Sequence, residues 1–138
     1  MLLSWLVPTL AYVLALGVIG VASKLALRSL SWQELVLWAA LLYTLLAAVL
    51  IVVGGTRISL GPNSGWAVVA AICIVSSLVL LFLALEVGSA GTVVPISAAY
   101  PAVTLVLAAI LLSEEVSAGK LGGVLLVIAG VVLLTVSD

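Results

Sequence analysis

Apolar residues run along this chain in five long blocks, and the polar residues gather in the short stretches between them. The blocks fall at Trp5 to Leu27, Trp32 to Val53, Trp66 to Leu85, Thr92 to Leu112 and Ala118 to Val136. A hydrocarbon core of about 30 Å takes about 20 helical residues to cross, so each block is long enough to span it. Three of them open on Trp, whose apolar ring and polar N–H favour the membrane–water interface. The pattern predicts an all-α polytopic membrane protein of five transmembrane helices, organised as one domain over residues 1–138.

The connecting stretches carry turn chemistry. Ser31-Trp32-Gln33-Glu34 fits a capping box, in which the Ser31 hydroxyl accepts an orphan N–H and the Glu34 carboxylate reaches back to the cap. The glycines and proline of Gly54-Gly55 and Gly61-Pro62-Asn63-Ser64-Gly65 make a breaker-rich loop between the second and third spans. Val87-Gly88-Ser89-Ala90-Gly91 predicts a tight hairpin between the third and fourth, and Ser117 is placed to cap the fifth.

Composition sharpens the class. Hydrophobic residues make up 67% of the 138 and charged residues 7%, against about a quarter charged in soluble domains. A net charge of −1 gives no basic field for nucleic acid. With no histidine and a single cysteine, Cys73, the chain can form neither an internal disulfide nor a recognisable zinc site. A serine–histidine triad is excluded as well. The expectation is therefore no catalytic residue, no metal and no cofactor. The first apolar block lacks the basic leader of a signal peptide and is read as a retained helix.

The few cations bear on topology. Arg57 and Lys120 fall on one side of a five-span chain, Lys24 and Arg28 on the other. A positive-inside tie of this kind leaves orientation unbiased, so the chain can insert both ways and two copies can meet as an inverted pair.

Polar side chains within the spans should face protein or a cavity, because the hydrocarbon offers them no water. In the fourth span, Ser97, Tyr100, Pro101 and Thr104 recur at helical spacing. Pro95 and Pro101 each remove a backbone donor, which predicts a bent or locally open helix. The first span carries Thr9, Tyr12, Gly20 and Ser23 on one stripe, and the third carries Cys73, Ser76 and Ser77. Together they mark a candidate substrate site of Ser97, Tyr100, Thr104, Tyr12, Thr9, Ser76 and Ser77. The competing interpretation is that Ser and Thr bond back to their own carbonyls and serve only packing. Gly119, Gly123 and Gly130 lie on one face of the fifth span and make a candidate helix-packing seam for a homodimer. Lys24, Glu86, Glu114 and Glu115 sit near span ends, where long side chains snorkel, and no carboxylate falls in the middle of a span.

From Ala84 onward, Ala84-Leu85, Gly88, Ala90, Val94-Pro95, Pro101, Leu112-Ser113-Glu114 and the run Gly123 to Val131 resemble the second part of an EamA domain. That domain is the repeat unit of the drug/metabolite transporter superfamily. Gly17, Gly20 and Lys24 extend the likeness to the first span. The resemblance implies half of a ten-helix inverted-repeat transporter, similar to a five-span bacterial and archaeal branch. The four-span small multidrug resistance proteins are similar too. They pair as antiparallel dimers through last-helix glycines that Gly123 and Gly130 match. The first-helix glutamate of those proteins is replaced here by Leu16 or Gly17, so proton-coupled export of cationic drugs is not implied. What the resemblance implies is a secondary carrier of a small metabolite or amphipathic solute, working by alternating access as a homodimer in the inner (plasma) membrane. The alternatives are a non-transporting assembly subunit and a lipid-linked-sugar flippase subunit.

Overall fold

The computed structural model describes Leu2–Val136 and builds it from six helices. These are α1 (Leu2–Ala26), α2 (Trp32–Val52), α3 (Ser64–Val87), α4 (Ala90–Ser97), α5 (Tyr100–Leu111) and α6 (Ala118–Val136). Five stretches are long and apolar enough to cross a membrane, with α4 and α5 together forming the fourth, Ala90–Leu111. Every regular element among the described residues is a helix, as expected where the bilayer gives backbone groups no partner but each other.

The helix ends follow local chemistry. At the start of α2, the Ser31 N–H and hydroxyl both donate to the Glu34 carboxylate at 2.8 Å, and the Glu34 N–H donates to Ser31 Oγ at 3.4 Å. This is the expected capping box, closed in both directions. α3 begins earlier than the Trp66 expected from hydropathy, because the Gly61–Asn63 turn feeds directly into it. Ser64 donates its hydroxyl to the Gly61 carbonyl at 2.7 Å, and the Trp66 N–H reaches the Asn63 carbonyl at 3.1 Å. Ser89 caps α4 by accepting the Thr92 N–H at 3.1 Å. Ser117 caps α6 by accepting the Lys120 N–H at 3.2 Å.

The fourth span departs most from a straight helix. It stops at Ser97 and restarts at Tyr100. Pro101 has no N–H to give the Ser97 carbonyl, and the chain responds by tightening. The Ala98, Ala99 and Ala102 N–H groups each reach back three residues, to the carbonyls of Pro95, Ile96 and Ala99, at 3.0, 3.1 and 3.1 Å. Ala98 and Ala99 keep right-handed backbone angles, so the link is a short i→i+3 turn between two α-helices.

The chain divides into two compact units, Val21–Val87 and the remainder on either side of it. In the first unit α2 and α3 pack as a hairpin. Phe82 and Leu85 are its buried apolar side chains, and Ser23 is buried as well. There the Lys24 ammonium donates to the Leu85 carbonyl at 2.7 Å. This carbonyl belongs to the last turn of α3, where the helix has no amides left to offer and where a cation is favoured by the helix dipole.

In the second unit α4 and α5 pack on α6, and α1 comes up against α4 at Gly20. A Cβ at Gly20 would run into the Val94 side chain, whereas one at Gly17 would meet nothing within 4 Å. Apolar side chains elsewhere stay largely exposed, such as Leu126 at 76%, because lipid tails solvate them as well as protein does. Gly20→Ala is therefore expected to push α1 from α4 and cost about 1–3 kcal/mol as an overpacked contact. Gly17→Ala should leave stability unchanged or raised. Unfolding of both variants by SDS titration in mixed micelles checks the pair.

Candidate functional site

The polar residues singled out from the sequence divide between the two units. Ser76, Ser77 and Cys73 belong to α3 in the Val21–Val87 unit, while Thr9, Tyr12, Ser97, Tyr100 and Thr104 belong to the other. Most of the hydroxyls already donate to their own helix. Thr9 gives its proton to the Trp5 carbonyl at 2.7 Å and Ser77 to Ile74 at 2.9 Å. Ser97 gives its own to Val94 at 2.6 Å and Thr104 to Tyr100 at 3.3 Å. Each retains acceptor lone pairs, so back-bonding lowers its capacity for a ligand without ending it.

Tyr100 stands apart. It is the first residue of α5 and, with Pro101, lies at the centre of the span Ala90–Leu111. Tyr12 on α1 stands near it, and 53% of its surface remains exposed. A phenol at this depth needs a polar partner. The helix restarts with Tyr100, immediately before the proline.

From Tyr100 a groove of about 460 Å3 runs between α5 and α6. Its walls carry Tyr100, Pro101 and Thr104 at one end, Leu105, Ala108 and Val124 along the middle, and Glu114 and Lys120 at the other, with Gly119 and Gly123 on the α6 side. This joins two features that the sequence kept separate, the polar residues of the fourth span and the glycines of the fifth. Ser97 is not among the lining residues, since the turn at Ala98 and Ala99 interrupts the spacing that would have aligned it. No atom of the surrounding chain comes within 4 Å of a Cβ built at Gly123 or Gly130, and at Gly119 only the Ser117 hydroxyl, at 3.9 Å, does so. The three glycines thus open space instead of seating a helix of the same chain. Gly130 lies outside the groove lining, farther along α6.

In the sequence Glu114 stood out as a span-end residue within the Leu112-Ser113-Glu114 likeness, and Lys120 as one of the four cations that bear on topology. The backbone brings them together. Ser113 adopts a left-handed conformation, φ 54°, which costs a non-glycine residue about 1–2 kcal/mol. The turn lets the Glu114 N–H return to the Ala108 carbonyl at 3.3 Å. The Glu114 carboxylate then faces the Lys120 ammonium at 3.9 Å, and Lys120 also donates to the Glu115 carbonyl at 3.1 Å. Both charges keep about half their surface open, 54% for Glu114 and 52% for Lys120, so the pair contributes little to stability.

A second groove, of about 430 Å3, lies between α2 and α3, lined almost wholly by apolar and alanine side chains with Tyr43 and Thr44. Thr44 donates to the Ala40 carbonyl at 2.8 Å. Nothing in the sequence singles out Tyr43, which has no polar residue three, four or seven places away along its helix.

No solved structure matches the chain. An uncharacterized protein of Methanocaldococcus jannaschii is 36% identical over 73 residues, which is 53% of each chain, so the chain spans about half the length of the curated relative it matches. The EamA-like transporter family matches residues 3–136, taking in all five spans, the α4–α5 break and the groove beside it. On that correspondence the chain belongs to the EamA-like transporter family.

Proposed function

We propose that the chain works as a secondary carrier, assembled from two copies in the inner (plasma) membrane, that moves a small metabolite or amphipathic solute by alternating access. The observation that carries this reading is the break of the fourth span at its centre, directly before a partly exposed Tyr100 that opens into the α5–α6 groove. Broken helices near the bilayer midplane are where carriers gather substrate contacts, and a short turn between two rigid half-helices is a place for them to rock. Tyr100, Thr104 and Tyr12 form the substrate contacts in this reading, with Ser97, Thr9, Ser76 and Ser77 as acceptor-bearing neighbours in their own units. Pro95 and Pro101 keep the span from closing into one helix.

Of the seam expected at Gly119, Gly123 and Gly130, the second copy in this reading docks on α6 at Gly130, whose open face lies outside the groove. Gly119 and Gly123 line the groove and serve the solute. The balance of Arg57 and Lys120 against Lys24 and Arg28 supports insertion in both orientations and hence an antiparallel pair. A non-transporting assembly subunit is the second reading, and the back-bonded hydroxyls of Thr9, Ser77 and Ser97 favour it. Uptake of a metabolite panel by liposomes holding the purified protein alone separates the two, since a bare assembly subunit moves nothing.

Tyr100→Phe removes only a hydroxyl, worth about 0.5–1.5 kcal/mol net, so substrate affinity should fall roughly two- to tenfold with folding intact. Pro101→Ala restores a backbone donor and should slow alternation more than it alters binding. Transport per folded molecule measures both, and unchanged affinity and turnover in the two variants would remove α5 from the site. For the assembly, Gly130→Leu should weaken crosslinking between copies in bilayers, and Gly123→Leu should spare it while impairing transport. C-terminal reporters active on opposite sides of the membrane should both respond, and two lysines added beside Arg57 should silence one of them.

A further inference from the structure

The α5–α6 groove is ordered along its length. Opposite charges stand at its outer end, Glu114 in the link after α5 and Lys120 in the first turn of α6. An apolar stretch follows, and hydroxyls stand at the inner end, at the centre of the span. We propose that it binds a single-chain amphiphile with a zwitterionic headgroup, the head against Glu114 and Lys120 and the chain along Leu105, Ala108 and Val124 towards Tyr100. The inference rests on the carrier reading and names the class of its solute.

Three observations converge on this chemistry. Glu114 and Lys120 are 3.9 Å apart and half exposed, so each has a free side for a counter-charge. A head carrying both signs satisfies both. A purely cationic head meets the Lys120 ammonium, and a purely anionic one meets Glu114 with Glu115 next to it in the chain. The middle of the groove is apolar, and Gly123 keeps it open, since nothing in the chain occupies the place of its missing side chain. Its volume of about 460 Å3 falls within the range of small-molecule sites, roughly 300–1,000 Å3.

The test is photolabelling of the full chain in vesicles of phosphatidylglycerol and phosphatidylethanolamine. The probe is a lysophosphocholine carrying a diazirine in its acyl chain, compared with trimethylammonium and sulfate probes of the same chain. The lysophosphocholine should label peptides of α5 and α6 about two- to fivefold more than either singly charged probe, the ratio expected for one half-exposed charge contact. Gly123→Leu should remove most of that labelling while the unfolding transition stays in place. Glu114→Gln with Lys120→Gln should abolish the preference among heads and leave labelling by the chain. Exchanging the two charges, Glu114→Lys with Lys120→Glu, should restore the preference. Even labelling of all five spans, as by bulk lipid, would overturn the proposal. So would equal labelling by the three heads, or groove labelling indifferent to Gly123→Leu. Labelling as expected from a protein that moves no solute in liposomes would sink the carrier reading and leave the site standing. Transport of some other solute, untouched by Gly123→Leu, would sink the site and leave the carrier.

Discussion

Pro101 withholds one hydrogen bond from the Ser97 carbonyl, and the fourth span is organised around that loss. In water the freed carbonyl would find a solvent partner at little cost. In a bilayer each unsatisfied backbone group costs several kcal/mol, and around this loss the bonds draw in to three-residue reach, from Ala98, Ala99 and Ala102 to the carbonyls of Pro95, Ile96 and Ala99. The result is two half-helices where hydropathy reads a single span. Tyr100, central in the span by its place in the sequence, becomes the first residue of the second half-helix, and the groove begins there.

The remaining contacts hold the helices with little burial. Among the described residues Phe82 and Leu85 are the buried apolar side chains, so the fold cannot rest on the hydrophobic effect between helices. It rests on helices that satisfy themselves, on a close approach at Gly20 and Val94, and on polar ties such as the Lys24 ammonium on the Leu85 carbonyl. That tie uses a snorkelling residue for a second purpose. The Lys24 charge, carried by the last turn of α1, caps the free end of α3.

Much of this was legible in the sequence, because membrane helices announce themselves by length and polarity. The five spans, the capping box at Ser31 and Glu34, the caps at Ser117 and the disturbance of the fourth span by its prolines all follow from local rules that tertiary contacts do not override. The candidate site was legible in part. Tyr100, Pro101 and Thr104 stood out by type and depth, and the structure adds that Gly119 and Gly123 share their groove. That sharing depends on how α5 and α6 pack, which spacing along one helix does not contain. The pairing of Glu114 with Lys120 depends on a left-handed Ser113, and a serine there carries no signal of positive φ as a glycine would. Ser97 was aligned with Tyr100 by a helical period that the turn between them breaks.

The back-bonded hydroxyls have a consequence for hydrogen bonding. Thr9, Ser77 and Ser97 have each handed their one proton to a carbonyl of their own helix, and what they turn outward is lone pairs. The stripes that look amphoteric in the sequence are in this sense one-sided. Within its own unit each such hydroxyl can accept an N–H or O–H bond and gives nothing to a bare carbonyl or ether.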